Sequence, residues 1–486
     1  MTNQAKGGLV AYLCHRKSLR IILVVIIGAC LLAVTLYSSE LSTDILHRTS
    51  PVQETQIEKN SPAKGHSHLD HDELDAYTAT RETTTPSWTA HLEARQSTTL
   101  KQATQKYRLK YDRDPPPHFD RFVKFALDHK CLIDEYDLIQ RDLAPFRKMD
   151  PEVLKRRIKA LLTSDAMTSY SIRNGQAQKV QETYLNGAWD NFINSLAPLL
   201  PDMDVIANAL DEPRVLLNVY DPSALSHANS TDPDPIFHHL ERSQHHDHVH
   251  SSCTVQTMEA LPTEHDDDYN AIHGLLVAPD SFSYTHDLYP VLSPTKIHPC
   301  FADIVVPPVY YSTVSPSLTD DVKWEDKEAK LFWRGSTSGG HAVNGNWRQF
   351  HRQRFMLLAK NRTDVDVAFT NIIQCDEADC EAQKLEFPTV PQEPWEEHIK
   401  HKWLFDTDGN SFSGRFTRLL RSKSLVFKST IMIEYFSDWV LPYVHYIPVS
   451  LSYDDLDAKL RWAAENDELA KQIAEEGSQL AALQNL

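Results

Sequence analysis

The sequence predicts an α/β globular body reached through a membrane span and a polar stem. Three observations carry this reading: an uncharged apolar run near the N-terminus, a polar stretch after it that lacks apolar periodicity, and two later segments that each run from strand to Gly/Ser-rich loop to helix. The chain has 486 residues, with 49 Lys and Arg against 67 Asp and Glu, giving a formal charge of −18. An acidic surface offers no counterion release to a phosphate backbone, so composition speaks against a nucleic-acid partner. With only 14 glycines and 9% aromatic residues, the chain is neither collagen-like nor disordered throughout.

Residues 21–37 form the apolar run, preceded by Lys6, Arg16, Lys17 and Arg20 and followed by Glu40 and Asp44. This predicts a single type II signal anchor with residues 1–20 cytoplasmic and the rest luminal. The competing reading is a cleaved signal peptide, for which Ala29 and Ala33 supply small residues. A short span suits the thinner membranes of the endoplasmic reticulum or Golgi. Residues 38–106 are rich in Ser, Thr, Gln, Glu and His and are expected to form a flexible stem. On the luminal side stand Cys131, Cys253, Cys300, Cys375 and Cys380, of which Cys375 and Cys380 either close a small loop or are unrelated thiols. Asn229 and Asn361 begin glycosylation sequons.

The body begins near Tyr107. Phe119, Phe122, Val123, Phe125 and Ala126 fall on helical spacing behind Pro115, Pro116 and Pro117, and Asp150-Pro151-Glu152 opens a second helix. A short strand at 205–207 leads to Asp211 and Glu212. A polar insertion follows with His238, His239, His245, His246, His248 and His250, read either as a mobile solvated loop or as a metal site. Residues 273–278 and 303–311 are expected to be strands. The first strand–loop–helix segment spans 330–360, with Phe350, Phe355, Leu357 and Leu358 inward, and the second spans 402–428. Ligands of α/β sheets sit in such loops, at the carboxyl ends of the strands.

Both loops set small or hydroxylated residues beside arginine. Ser336, Thr337 and Ser338 precede Arg348, Arg352 and Arg354, while Ser411, Ser413 and Gly414 lead into Arg415. Close backbone approach, a helix N-terminus and a guanidinium fork together suit an anion, and two such loops suit a diphosphate. The alternative is a pair of surface loops with chance arginines. Neither loop is a Walker A or a G-x-G-x-x-G turn. At the strand end, Asp211 could act as a general base, or could instead cap a helix or pair with Arg214. Asp406-Thr407-Asp408 has the form of a D-x-D metal–sugar motif.

In order and spacing, RLKYDRDPPPHFDRFVKFA, LPDMDVIANALDEPRV, HGLLVAPDSFSYTHDLYPVLSPTK, FWRGSTSGGHAVNGNWRQFHRQR, KWLFDTDGNSFSGRF and LPYVHYIPVSLSYDDL resemble glycosyltransferase family 90, which includes fungal capsule-associated proteins and Rumi-type protein O-glucosyltransferases. The GGH and NWRQFHRQR segments are closest in form to the fungal branch. The resemblance implies a GT-B-like fold of two Rossmann-like lobes, an acceptor-side lobe at 107–320 with the His-rich insertion at about 225–270 and a nucleotide-sugar-binding lobe at 321–486. It also implies an inverting transfer of xylose or glucose from a UDP-sugar to a glycan or glycoprotein. Asp211 is then the catalytic base, and Ser336, Arg352, Asn410, Ser411, Phe412, Ser413, Gly414 and Arg415 contact the donor. Arg348 and Arg354 are alternatives to Arg352, and Ser293, Pro294 and Lys296 fall near the acceptor segment. The resemblance implies no bound cofactor and does not require a divalent metal. Against the family pattern the sequence stops soon after Glu476, so a shortened C-terminus is expected. A noncatalytic sugar-binding or scaffold protein of the same fold is the competing functional class.

Overall fold

The computed structural model describes residues 87–182, 186–221, 236–240, 272–313 and 322–484, with single positions between 245 and 252. The apolar run at 21–37, the Asn229 sequon, Cys253, His246 and His250 lie outside them. No helix among the described residues is long and apolar enough to cross a membrane.

Two side-chain caps start the chain into helix. Ser87 accepts from Ala90 N–H to begin α1 (Trp88–Ala94), and Thr99 accepts from Gln102 N–H to begin α2 (Leu100–Tyr111). Leu92, Ala103 and Tyr107 on these helices are buried in the main core. The folded body therefore begins within the stretch assigned to the stem, whose boundary at 106 is too late. Ser87, Ser97 and Thr99 within it are caps and tethers: Ser97, for example, donates through N–H and Oγ to Asp134 at 2.7 and 3.0 Å. Helix α3 (Phe119–Asp128) buries Phe119, Phe122, Val123 and Ala126, the face that the spacing predicts. Helix α4 (Pro151–Leu161) starts where Asp150 accepts from Glu152 and Val153 N–H.

The first sheet contains β1 (Met167–Arg173), β2 (Gln176–Gln181) and, after α5 (Asn186–Leu196), β3 (Met203–Asn208). The chain then passes through α6 (Gly274–Val277), β4 (Leu292–Ser293), β5 (Ile304–Val305) and α7 (Tyr310–Thr313). Spatial order is β2-β1-β3-β4-β5; β1 is antiparallel to both neighbours, while β3, β4 and β5 run parallel. This mixed sheet corrects the expectation of two Rossmann-like lobes. The cause is a hairpin turn at Asn174 and Gly175, both with positive φ (52° and 72°), which folds β2 back on β1.

The second sheet is wholly parallel. Its strands are β6 (Glu328–Ser336), β7 (Val365–Asn371), β8 (His401–Thr407), β9 (Leu425–Ser429) and β10 (Ile447–Pro448), ordered β7-β6-β8-β9-β10. Helices α8 (His351–Ala359), α9 (Glu377–Glu386), α10 (Trp395–His398), α11 (Phe416–Arg421), α12 (Leu456–Glu465) and α13 (Asp467–Gln484) complete it. This is the 2-1-3-4-5 order of a doubly wound sheet, whose direction reverses between β6 and β8. The two predicted anion loops leave these two strands.

Three local expectations change. Residues 274–277 form a one-turn helix, not a strand, with the His273 ring accepting from Leu275 N–H. Leu357 and Leu358 face solvent, because α8 instead turns His351, Arg352, Gln353 and Phe355 inward. Ile304 and Val305 form only a short strand before α7. Cys375 and Cys380 are joined as a disulfide, and Cys300 is also disulfide-bonded. The described part of the His-rich insertion folds onto the body: His238 and His239 pair with Tyr284 and Ser283, and the buried His245 ring lies 2.8 Å from Leu275 O. Among the described residues there is no group of three or more His, Cys, Asp or Glu placed to hold a metal.

Candidate active site

The carboxyl ends of β6 and β8 open into a cavity of about 640 Å³, with Asp211 of the first lobe on its far wall. Asp211 reaches that wall through a tight turn after β3. Asn208 Nδ2 donates to Glu212 O at 2.7 Å, and Asn208 Oδ1 accepts from Leu210 N–H at 3.0 Å. The turn sends neighbouring side chains in opposite directions. Arg214 points inward and donates to Ser283 O, Ser283 Oγ, Asp165 O and Ala166 O, so it is not Asp211's partner. Glu212 is buried and accepts from Ser281 Oγ at 3.1 Å; loss of water, with the charge of Asp211 second, pushes its pKa up to about 8. Asp211 itself opens to the crevice but has protein on most sides, and this desolvation raises its pKa. Its facing partner is Asn410, whose Nδ2 donates to Asp211 Oδ2 at 3.4 Å.

Opposite stand the two loops. Arg352, buried at the start of α8, ties them together: Nε donates to Asp408 O at 2.7 Å, and Nη1 to Ser336 O at 3.0 Å and Ser338 Oγ at 2.7 Å. Arg348 is exposed over the Trp347 ring, and Arg354 donates to Leu451 O and Ser452 O. Of the three arginines on this segment, Arg352 is the one that lines the cavity. Ser293 and Lys296 are buried instead in the first lobe, bonded to Asp303 and, for Lys296, to Asp142 at 2.6 Å.

The loop after β8 is fixed from beneath. Asp406 accepts from Ser413 Oγ and from Lys428 Nζ; Asp408 accepts from Thr430 Oγ1 and Ile431 N–H and faces His273 Nε2 at 3.3 Å. The D-x-D carboxylates are thus occupied in holding the loop. Above them, Ser411 Oγ is buried without a partner among the described residues, Phe412 packs on Tyr311, and Gly414 lies against Tyr310, where a Cβ would come within 2.4 Å of the ring. Arg415 donates through Nη1 to Arg334 O and leaves Nη2 buried and unpartnered among the described residues.

Sequence reasoning missed Arg418, which also lines the cavity, leaves Nε unpartnered and lies 4.2 Å over the Trp395 ring. Its position one helical turn after Arg415 was the available signal. Arg334, Glu393 and His398 were missed as well, because they come from separate segments. Among the described residues, Arg352, Arg415 and Arg418 form no ion pair with a carboxylate, and desolvation lowers the pKa of each. Arg415 and Arg418 also keep buried N–H donors without a partner among the described residues, and unneutralised guanidinium groups with such donors call for an anionic ligand.

Residues 305–485 match the model of the family described as Glycosyl transferase family 90. The matched segment is thus a domain similar to glycosyltransferase family 90. That domain contains both anion loops and α11, while Asp211 lies before the matched region. The chain is 34% identical over 161 residues to Protein O-glucosyltransferase 2 of Danio rerio, which aligns 32% of this chain with 29% of that protein. It is 25% identical over 361 residues to the O-glucosyltransferase rumi homolog of Anopheles gambiae, covering 70% of this chain and 71% of that protein. Against Protein O-glucosyltransferase 1 of Homo sapiens the identity is 25% over 356 residues, covering 71% and 73%. The chain spans only 29% of the length of that Danio rerio protein and 37% of the length of the O-glucosyltransferase rumi homolog of Aedes aegypti.

Proposed function

We propose that the protein is an inverting glycosyltransferase that moves glucose or xylose from a UDP-sugar to a hydroxyl of a protein or glycan. The observation that carries this reading is the opposition, across one crevice, of a partly desolvated carboxylate and unneutralised arginines. Asp211 takes the acceptor hydroxyl proton as the oxygen attacks the anomeric carbon. The bond from that carbon to the diphosphate breaks, and its electron pair stays on the departing phosphate oxygen, where Arg352, Arg415 and the loop amides stabilise the charge. One displacement inverts the anomeric centre, so no second carboxylate nucleophile is needed. Names of relatives that transfer glucose to proteins support a protein acceptor. The N-terminal apolar run supports a membrane-anchored enzyme of the endoplasmic reticulum or Golgi with its active site in the lumen.

The test is transfer and donor hydrolysis by the full chain in detergent across a panel of UDP-sugars. Asp211→Asn should lower kcat at least about 100-fold while leaving UDP affinity within a few-fold. Undiminished turnover by that variant, or no UDP binding by the native chain, would falsify the reading.

A further inference from the structure

Asn410 sits where the two lobes meet, and both ends of its amide are used. Gly339 N–H, on the loop after β6, donates to Asn410 Oδ1 at 3.1 Å, while Asn410 Nδ2 donates to Asp211 Oδ2 at 3.4 Å. The amide cannot be turned over, because a backbone N–H requires the oxygen on its side. The loop backbone is held too: Gly409 N–H donates to Ser411 O at 3.0 Å, and Asp408 is anchored by Thr430 and Ile431. A side chain in this position can give a proton-bearing nitrogen to Asp211 and nothing else.

We propose that Asn410 is a positioning residue for the base: it occupies Asp211 Oδ2, keeps the carboxylate ionised, and leaves Oδ1 to receive the acceptor proton. The proposal rests on the transferase reading above and adds a link from the donor loop to the base. A donor N–H stabilises the charged form of a carboxylate more than the neutral one, so it acts against the desolvation that raises the pKa of Asp211. The other titratable group beside Asp211 is Glu212, which is protonated near neutral pH and adds no charge there.

The test follows the Asp211 carboxyl carbon by 13C NMR titration in the full chain, with the signal assigned by its loss in Asp211→Asn. In Asn410→Ala the Asp211 midpoint should move to higher pH, and in Asn410→Asp further still, since a like charge replaces the donor. This readout requires no turnover, so it stands apart from the transferase assay. In kinetics, Asn410→Ala should lose about tenfold in kcat on the acidic side and recover most of it on the alkaline side, with donor KM within about threefold. An unmoved Asp211 midpoint in a folded Asn410→Ala chain, judged by an unchanged thermal midpoint, would overturn the proposal. So would a defect confined to donor KM, which would make Asn410 a phosphate contact only.

Discussion

At the scale of single residues, the two central arginines have different tasks despite sharing a cavity. Arg352 spends its donors on Ser336 O, Ser338 Oγ and Asp408 O, so removing it frees two loops and leaves buried carbonyls unpaired. Arg352→Ala should lower both stability, by about 3 kcal/mol in urea denaturation, and donor affinity. Arg415 makes one such bond and keeps Nη2 for a ligand. Arg415→Ala should instead leave the urea midpoint nearly unchanged while lowering kcat/KM by about 100-fold. Equal stability losses in the two variants would contradict this division. Glu212 and Glu434 provide a separate readout, because burial pushes each to a pKa of about 8 in the folded protein. Between the ordinary carboxylate range and pH 8 the folded state keeps protons that the unfolded chain has released. Stability is therefore fully present below that range and falls as pH rises toward 8. A thermal midpoint that declines from pH 5 to pH 8, and declines less in Glu434→Gln, is the expected result.

At the scale of elements, the crevice depends on how closely backbones approach. Helix α6 meets the loop after β6 at Gly274, where an added Cβ would lie 1.4 Å from Gly339 O. Beside this contact the buried rings of His273 and His351 stack at 4.1 Å, and His351 Nε2 lies 2.8 Å from Asp408 O. Burial holds His351 well below its ordinary pKa, so this seam is built from a neutral imidazole. Gly274→Ala should cost about 3 kcal/mol or more and depress activity, measurable by urea denaturation and turnover together, since backbone cannot yield as a side-chain tip does. The same elements show what sequence alone could disclose. Asp150, Phe122 and Phe355 advertise their helices through capping and apolar spacing, and the Ser336 and Ser411–Arg415 loops declare their chemistry through local composition. Arg352 and His351 are harder to read, because polar side chains on a helix normally face water, and here they face inward to bond loop carbonyls. Trp395, His398 and Arg418 meet only through the fold. The Asn174-Gly175 turn was not among the features read from the sequence, and its consequence, an antiparallel hairpin added to the first sheet, depends on where the partner strand lies.

At the scale of the whole molecule, the first and last described helices brace each other. Thr89 N–H and Oγ1 donate to Glu476 on α13 at 3.5 and 3.3 Å, and Gly477 packs so tightly that a Cβ would sit 2.6 Å from His445 O. Helix α13 also packs on α11, which carries Arg418, so it supports the cavity from behind. The net charge of −18 contrasts with a cavity walled by arginine, and its attraction for the proposed dianionic donor is therefore local and only partly screened. Raising ionic strength from about 0.05 to 0.5 M should increase donor KM by no more than a few-fold, because buried charges feel salt weakly. A tenfold or greater rise would place the binding charges at the surface instead. The doubly wound order has one more consequence. Arg352, Asn410 and Arg415 come from the segments that follow β6 and β8, whereas Thr370, Gln392, Glu393 and Pro394, also on the cavity wall, belong to β7 and the segment before α10. The cavity wall is thereby drawn from separate stretches of chain, so a peripheral turn on the β7 side can be edited while the two loops opposite it stay intact.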